Sequence, residues 1–180
     1  MKTAALLLGL LYLTGCCVAE ECDCPSQATA DDLAIRFNRD TLSVPATGFT
    51  ALETRRLVLI RHPVDTASGA RTGSVILTSH PVPAAGAADI VLRRDRPFSR
   101  SVIGLSGYRY VIRQLADPGV TPSFRYELHR VLIASRYVTA STCCTCYENA
   151  RKELRVGSGP VLDLHTPPGS QPAVVELRKR

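Results

Sequence analysis

The chain has no tryptophan, one methionine and, among 22 basic residues, only three lysines. Aromatic residues amount to 6% of the chain, too few to supply a stacking platform for single-stranded nucleic acid, which is not an expected partner. After the first fifteen residues no apolar run is long enough to cross a bilayer as a helix. No period repeats, which excludes solenoids and propellers. The sequence also lacks H-E-x-x-H and G-x-S-x-G; Ser106, in Gly-Leu-Ser-Gly, misses the second pattern by one position. No glycine-rich phosphate loop opens a helix. His62, His80, His129 and His165 are scattered without ligand spacing. No catalytic residue, cofactor or metal centre is therefore assigned, and a non-enzymatic protein is the expectation.

What is present is ordinary globular composition: 180 residues, 45% hydrophobic and 21% charged, enough for one domain with its own core. Twelve prolines and twelve glycines predict many turns and few long helices. Arginine carries the positive charge, with 19 copies. A codon bias toward Arg and Ala explains this most simply. Selection for forked contacts to carboxylates or phosphates is the alternative.

The amino terminus is organised as a targeting segment. Met1-Lys2 is a short positive start, Ala4 to Leu13 is apolar, and Leu13-Thr14-Gly15-Cys16 follows. As a helix the apolar run spans roughly 15 Å, half of a bilayer core, so it reads as the apolar region of a signal peptide. Leu13-Thr14-Gly15-Cys16 resembles the lipobox of bacterial lipoproteins. That resemblance implies cleavage after residue 15, a lipid on Cys16, and a bacterial envelope protein joined to the membrane through its N-terminal lipid. One acyl chain anchors marginally, whereas two or three hold stably. Cys rather than Asp at position 17 implies, by the same resemblance, the outer membrane in preference to the inner. Secretion with cleavage after Ala19 is the competing reading.

Residues 16–32 read as a lipid-anchored linker without apolar periodicity. Positions 17–32 carry Glu20, Glu21, Asp23, Asp31 and Asp32 with no base, net −5, whereas 33–180 hold 21 bases and 11 acids, net +10. Such a body is attracted to anionic lipid head groups, although a solvated surface is the simpler reading. The densest basic cluster is Arg93, Arg94, Arg96 and Arg100, flanking Phe98. It is the candidate anion-binding site, with a solvated loop as the plain alternative.

Residues 33–180 are expected to form one all-β domain, an antiparallel sandwich of immunoglobulin-like kind with about nine short strands. Strands are placed at Leu33–Phe37, Leu57–Ile60, Val75–Thr78, Ile90–Leu92, Tyr108–Arg113, Phe124–Ala134, Leu154–Val156, Val161–Leu164 and Val174–Leu177. The apolar phase flips near His129, which predicts a bulge or a bend that passes the strand to a second sheet. Thr50 and Glu53 have capping-box spacing, so a helical turn is expected there. Asp117-Pro118-Gly119, Gly157 to Pro160 and Pro167-Pro168-Gly169 are turn signals, and His80–Ala88 and Arg94–Ser101 read as loops. A barrel is the alternative to a sandwich.

With Cys16 lipidated, six cysteines remain: Cys17, Cys22 and Cys24 in the linker, and Cys143, Cys144 and Cys146 in what reads as a loop before the Leu154 strand. An even number in an oxidising compartment favours disulfides, and six thiols allow 15 pairings. Pairing the linker cluster with the loop cluster is the economical arrangement, for example Cys24 with Cys146. With Cys22 stapled to the body, a free tether of 16 residues, about 54 Å when extended, shortens to five residues and about 17 Å. The alternative is a metal or redox protein, with Cys22, Cys24, Cys144 and Cys146 as thiolate ligands or with the Cys143–Cys146 C-x-x-C pair.

Cys144 to Gly157, C-T-C-Y-E-N-A-R-K-E-L-R-V-G, resembles a segment of small Gram-negative envelope lipoproteins. Gly48-Phe49-Thr50 with Glu53 and the run Leu57–Arg61 resembles another. These imply a shared all-β domain and carry no activity. An envelope hydrolase with a loop-assembled site remains a further alternative, because its carboxylates would meet only in space. No protein partner is named by the sequence.

Overall fold

The computed structural model describes residues 22–24, 27–65, 67, 69–78, 88, 90–116, 121–167 and 173–179. Nine strands are formed among them: β1 Leu33–Phe37, β2 Arg56–Pro63, β3 Gly73–Thr78, β4 Ile90–Leu92, β5 Tyr108–Gln114, β6 Arg125–Ser141, β7 Cys144–Val156, β8 Val161–Asp163 and β9 Val174–Leu177. They make two sheets, a three-stranded one in the order β4-β1-β9 and a six-stranded one in the order β3-β2-β5-β6-β7-β8. The fold is thus all-β and sandwich-like. Every pairing is antiparallel except β1 with β9.

Alternation explains which side chains meet between the sheets. Leu33, Ile35 and Phe37 of β1, with Ile90 and Leu92 of β4 and Val175 and Leu177 of β9, supply the small sheet's inner face. Leu57, Leu59, Tyr110, Ile112, Tyr126, Leu128 and Leu154 supply the large sheet's. Phe49 closes one end: its ring lies 5.1 Å from Phe37 and 4.9 Å from Phe124, both near edge-on, the arrangement aromatic quadrupoles favour. Gly48 is required beside it, because a Cβ there would strike the backbone of Asp40. At the other end Arg61 lays its guanidinium over Phe98 at 4.7 Å and Tyr108 at 5.0 Å, so Phe98 belongs to the core.

The expected bulge is present. Register shifts between His129 and Leu132, and Arg130 adopts φ 52°. One extra residue there lets both Leu128 and Val131 point inward. The helical turn is Ala51–Thr54 (α1), with a complete capping box: Thr50 accepts from the Glu53 amide, and Glu53 accepts from the Thr50 amide at 2.8 Å.

Two strands are longer than their apolar signal. β6 has 17 residues and β7 has 13, and their outer halves form a hairpin. Cys144 and Cys146 were expected in a loop but lie in β7, where Cys146 opposes Val138 and Cys144 opposes Ser141. Backbone pairing with β6 holds this polar stretch extended although its side chains show no alternation. The turn signals at 117–119 and 168–169, and nearly all of 80–88, lie outside the described residues.

Candidate functional site

The feature that sets this sandwich apart is the attachment of its N-terminal segment to the β6–β7 hairpin. Cys22 is bonded to Cys144 and Cys24 to Cys146, each across 122 residues of sequence and each with Cα atoms 5.4 Å apart. Cys143 is also disulfide-bonded. Cys16 and Cys17 lie outside the described residues.

Beyond the disulfides the segment is packed, not loose. Gln27–Thr29 form a 3-10 turn, and the Gln27 side chain accepts from the Tyr147 amide at 3.2 Å. Tyr147 donates its hydroxyl to both carboxylate oxygens of Asp31, at 3.0 and 2.9 Å. Burial, assisted by the Asp31 charge, pushes that phenol's pKa upward. Asn149 donates to the carbonyl of Ala30. The stretch expected to be a linker is therefore tied to the body from Cys22 onward.

The tie ends on a buried charge. Lys152 is 6% exposed and donates to the carbonyls of Ala30, at 2.9 Å, and Asp32. Burial lowers its pKa, opposed by the nearby Asp32 charge. Asp32 is itself 8% exposed and ion-paired to Arg93 at 2.8 Å. Burial raises its pKa even so, against the pull of Arg93 and Lys152. The apolar pattern of β7 conceals Lys152, which occupies an inward position among leucines. Only its i±2 relation to Leu154 hinted at this.

The predicted anion cluster is divided by the fold. Arg93 is spent on Asp32, and Arg94 donates to the carbonyls of Ser101 at 3.3 Å and Val102 at 3.2 Å. Arg96 and Arg100 are exposed. The histidines stay apart: His129 shares a hydrogen bond with the Gly157 carbonyl at 2.8 Å, His62 lies on β2, and His165 follows β8. His80 is outside the described residues. In the disulfide-bonded form Cys22, Cys24, Cys144 and Cys146 have no thiolates to offer a metal.

Two open pockets border the core. One, of about 200 Å³, is bounded by Phe37, Arg39, Thr54 and Leu77 at the sandwich edge. The other, of about 230 Å³, is bounded by Phe124, Tyr126, Glu127, Gly157 and Lys179. No helix among the described residues is long and apolar enough to cross a membrane. No protein-family model, curated protein or solved structure matches the chain.

Proposed function

We propose that this chain is a lipoprotein of the bacterial cell envelope, anchored through Cys16, whose β-sandwich serves as a non-enzymatic binding, assembly or structural module close to the membrane. The outer membrane is favoured over the inner. The observation that carries the reading is the pair of disulfides Cys22–Cys144 and Cys24–Cys146. They suit an exported protein, because disulfides persist in oxidising compartments. They also leave only five residues between the lipidated cysteine and the body, a reach of about 17 Å.

Counting thiols shortens the tether further. With Cys16 carrying lipid, Cys17 is the one cysteine left to pair with Cys143. The lipid would then sit next to a residue covalently joined to the tip of the β6–β7 hairpin. A domain held so close contacts whatever lies at the membrane surface instead of sampling the periplasm on a long leash.

Intact mass of the protein extracted from membranes without reductant, before and after thiol alkylation, tests this. The expected result is a chain starting at Cys16 with added lipid and no alkylated thiol. A lipid-free chain starting at Glu20 overturns the anchor. A reproducible hydrolase activity lost on a single Asp, Glu, Ser or His substitution overturns the non-enzymatic role.

A further inference from the structure

The outer face of the six-stranded sheet carries a charge arrangement that the fold does not require. Strand register places Ile76 of β3, Val58 of β2, Arg113 of β5 and Arg125 of β6 in one row. Val58 and, one row on, Val111 are buried although neither belongs to the core between the sheets. Arginine stems suit such a face, because they can lie along apolar surface with the charged heads in water.

Arg113 and Arg125 are direct cross-strand partners. Like charges in that position destabilise a sheet. Arg109 lies on the same face of β5, and the one carboxylate that β2, β3, β5 and β6 carry among the described residues is Glu127. Its contacts are long, 3.5 Å to Arg109 and 4.0 Å to Arg125, and the two arginine side chains keep 52% and 63% of their exposure. The row ends on Ile76, an isoleucine 59% exposed. Repelling cations beside an exposed aliphatic side chain match a membrane interface, where phosphates meet the cations and the apolar group enters the headgroup boundary. Soluble phosphate would give the isoleucine nothing.

We propose that this row, Ile76–Val58–Arg113–Arg125, is the surface by which the domain lies on anionic lipid head groups. The inference deepens the membrane-anchored reading and rests on it. Placement agrees: β6 runs 17 residues from Arg125 in the row to Ser141 beside the disulfide-tied tip, about 55 Å. The lipid at one end of β6 and the row at the other would then give two separated points of attachment.

The test uses the full chain with Cys16→Ser, so that no lipid contributes, and measures binding to mixed phosphatidylglycerol–phosphatidylcholine vesicles against pure phosphatidylcholine vesicles. Binding is expected to the anionic vesicles alone and to fade with salt. Arg113→Gln with Arg125→Gln should weaken it about 10–30-fold, each cation near the surface contributing of order 1 kcal/mol. The control pair Arg96→Gln with Arg100→Gln removes the same charge from an exposed loop and should change it less than about twofold. Melting temperature guards against misfolding, and relief of the Arg113–Arg125 repulsion should leave it unchanged or raised. Equal loss in both pairs means attraction by net charge alone and overturns the proposal, as does equal binding to both vesicle types. The anchor is judged separately by the mass measurement, so the failure of one is not confused with the failure of the other.

Discussion

Cys24 and Cys146 are 122 residues apart in the chain and 5.4 Å apart between Cα atoms, joined by a disulfide that fastens the N-terminal segment beside the exposed half of a long hairpin. Cys22 and Cys144 repeat the connection two residues away on each strand. Because the two bridges close nearly the same loop, the first accounts for most of the unfolded-state entropy they remove. The second chiefly fixes orientation.

Reduction of all the disulfides should therefore lower stability by about 5 kcal/mol in the chain-entropy model, whereas Cys22→Ser with Cys24→Ser should cost less while the Cys143 disulfide remains. Cys24→Ser alone should cost much less, since Cys22–Cys144 still closes the loop. Thermal melting measures the loss, and limited proteolysis around residues 22–32 should become fast only in the double variant. Unchanged melting and unchanged protease access would remove the structural role of the bridges.

Lys152 is expected to be the most sensitive charged residue. Lys152→Met keeps the stem but leaves the Asp32 carbonyl without this donor, while the Ala30 carbonyl keeps its hydrogen bond from Asn149. A buried acceptor so stranded costs about 1–3 kcal/mol. Burial holds the folded-state pKa of Lys152 below the ordinary 10.5, so between those two values the unfolded chain binds more protons and stability rises with pH. Denaturant titration across the alkaline range should show that contribution in the parent protein and not in Lys152→Met.

Glu53 joins the capping box to the C-terminal segment, accepting from Lys179 Nζ at 2.6 Å as well as from Thr50. Burial alone would raise its pKa; the Lys179 hydrogen bond and the Thr50 amide outweigh burial and hold it below the ordinary 4.5. Its stabilising contribution is thus complete above about pH 4.5 and is lost as pH falls through the lower folded-state value. Glu53→Ala should cost about 1 kcal/mol or somewhat more at neutral pH. The gap between parent and variant, followed by denaturant midpoint, should narrow on acidification.

Arg130 occupies left-handed backbone at φ 52° inside the bulge. Arg130→Gly should be tolerated within about 0.5 kcal/mol, whereas a β-branched Arg130→Val should cost about 1–2 kcal/mol. Deleting Arg130 should remove the bulge yet keep Val131 and Ile133 inward, because regular alternation then carries Leu128, Val131 and Ile133 on one face. Melting curves for the three variants provide the ranking.

How much of this was legible beforehand follows the range of each interaction. The Thr50–Glu53 box and the phase flip at His129 are local patterns, and both appear where the spacing placed them. The outer half of the β6–β7 hairpin was not legible: Thr145, Tyr147 and Asn149 give no apolar alternation, and only pairing with β6 keeps them in a strand. Nothing local marks Lys152 as buried, because a buried cation is defined by its acceptors, the carbonyls of Ala30 and Asp32, 122 and 120 residues away. Arg113 and Arg125 looked unrelated for the same reason, and the more conspicuous Arg93 and Arg94 turned out to have internal partners.

The sequence by itself determined the apolar parts of the strands, the all-β class and the arrangement of the cysteines into two clusters, since these depend on side-chain period and turn chemistry within a few residues. Only the tertiary structure decided which cysteines meet, which arginines are consumed by Asp32 and by backbone carbonyls, and which are gathered on the outer face of the large sheet. Strand register sets those neighbours, and register is decided by backbone pairing and core burial across the whole domain.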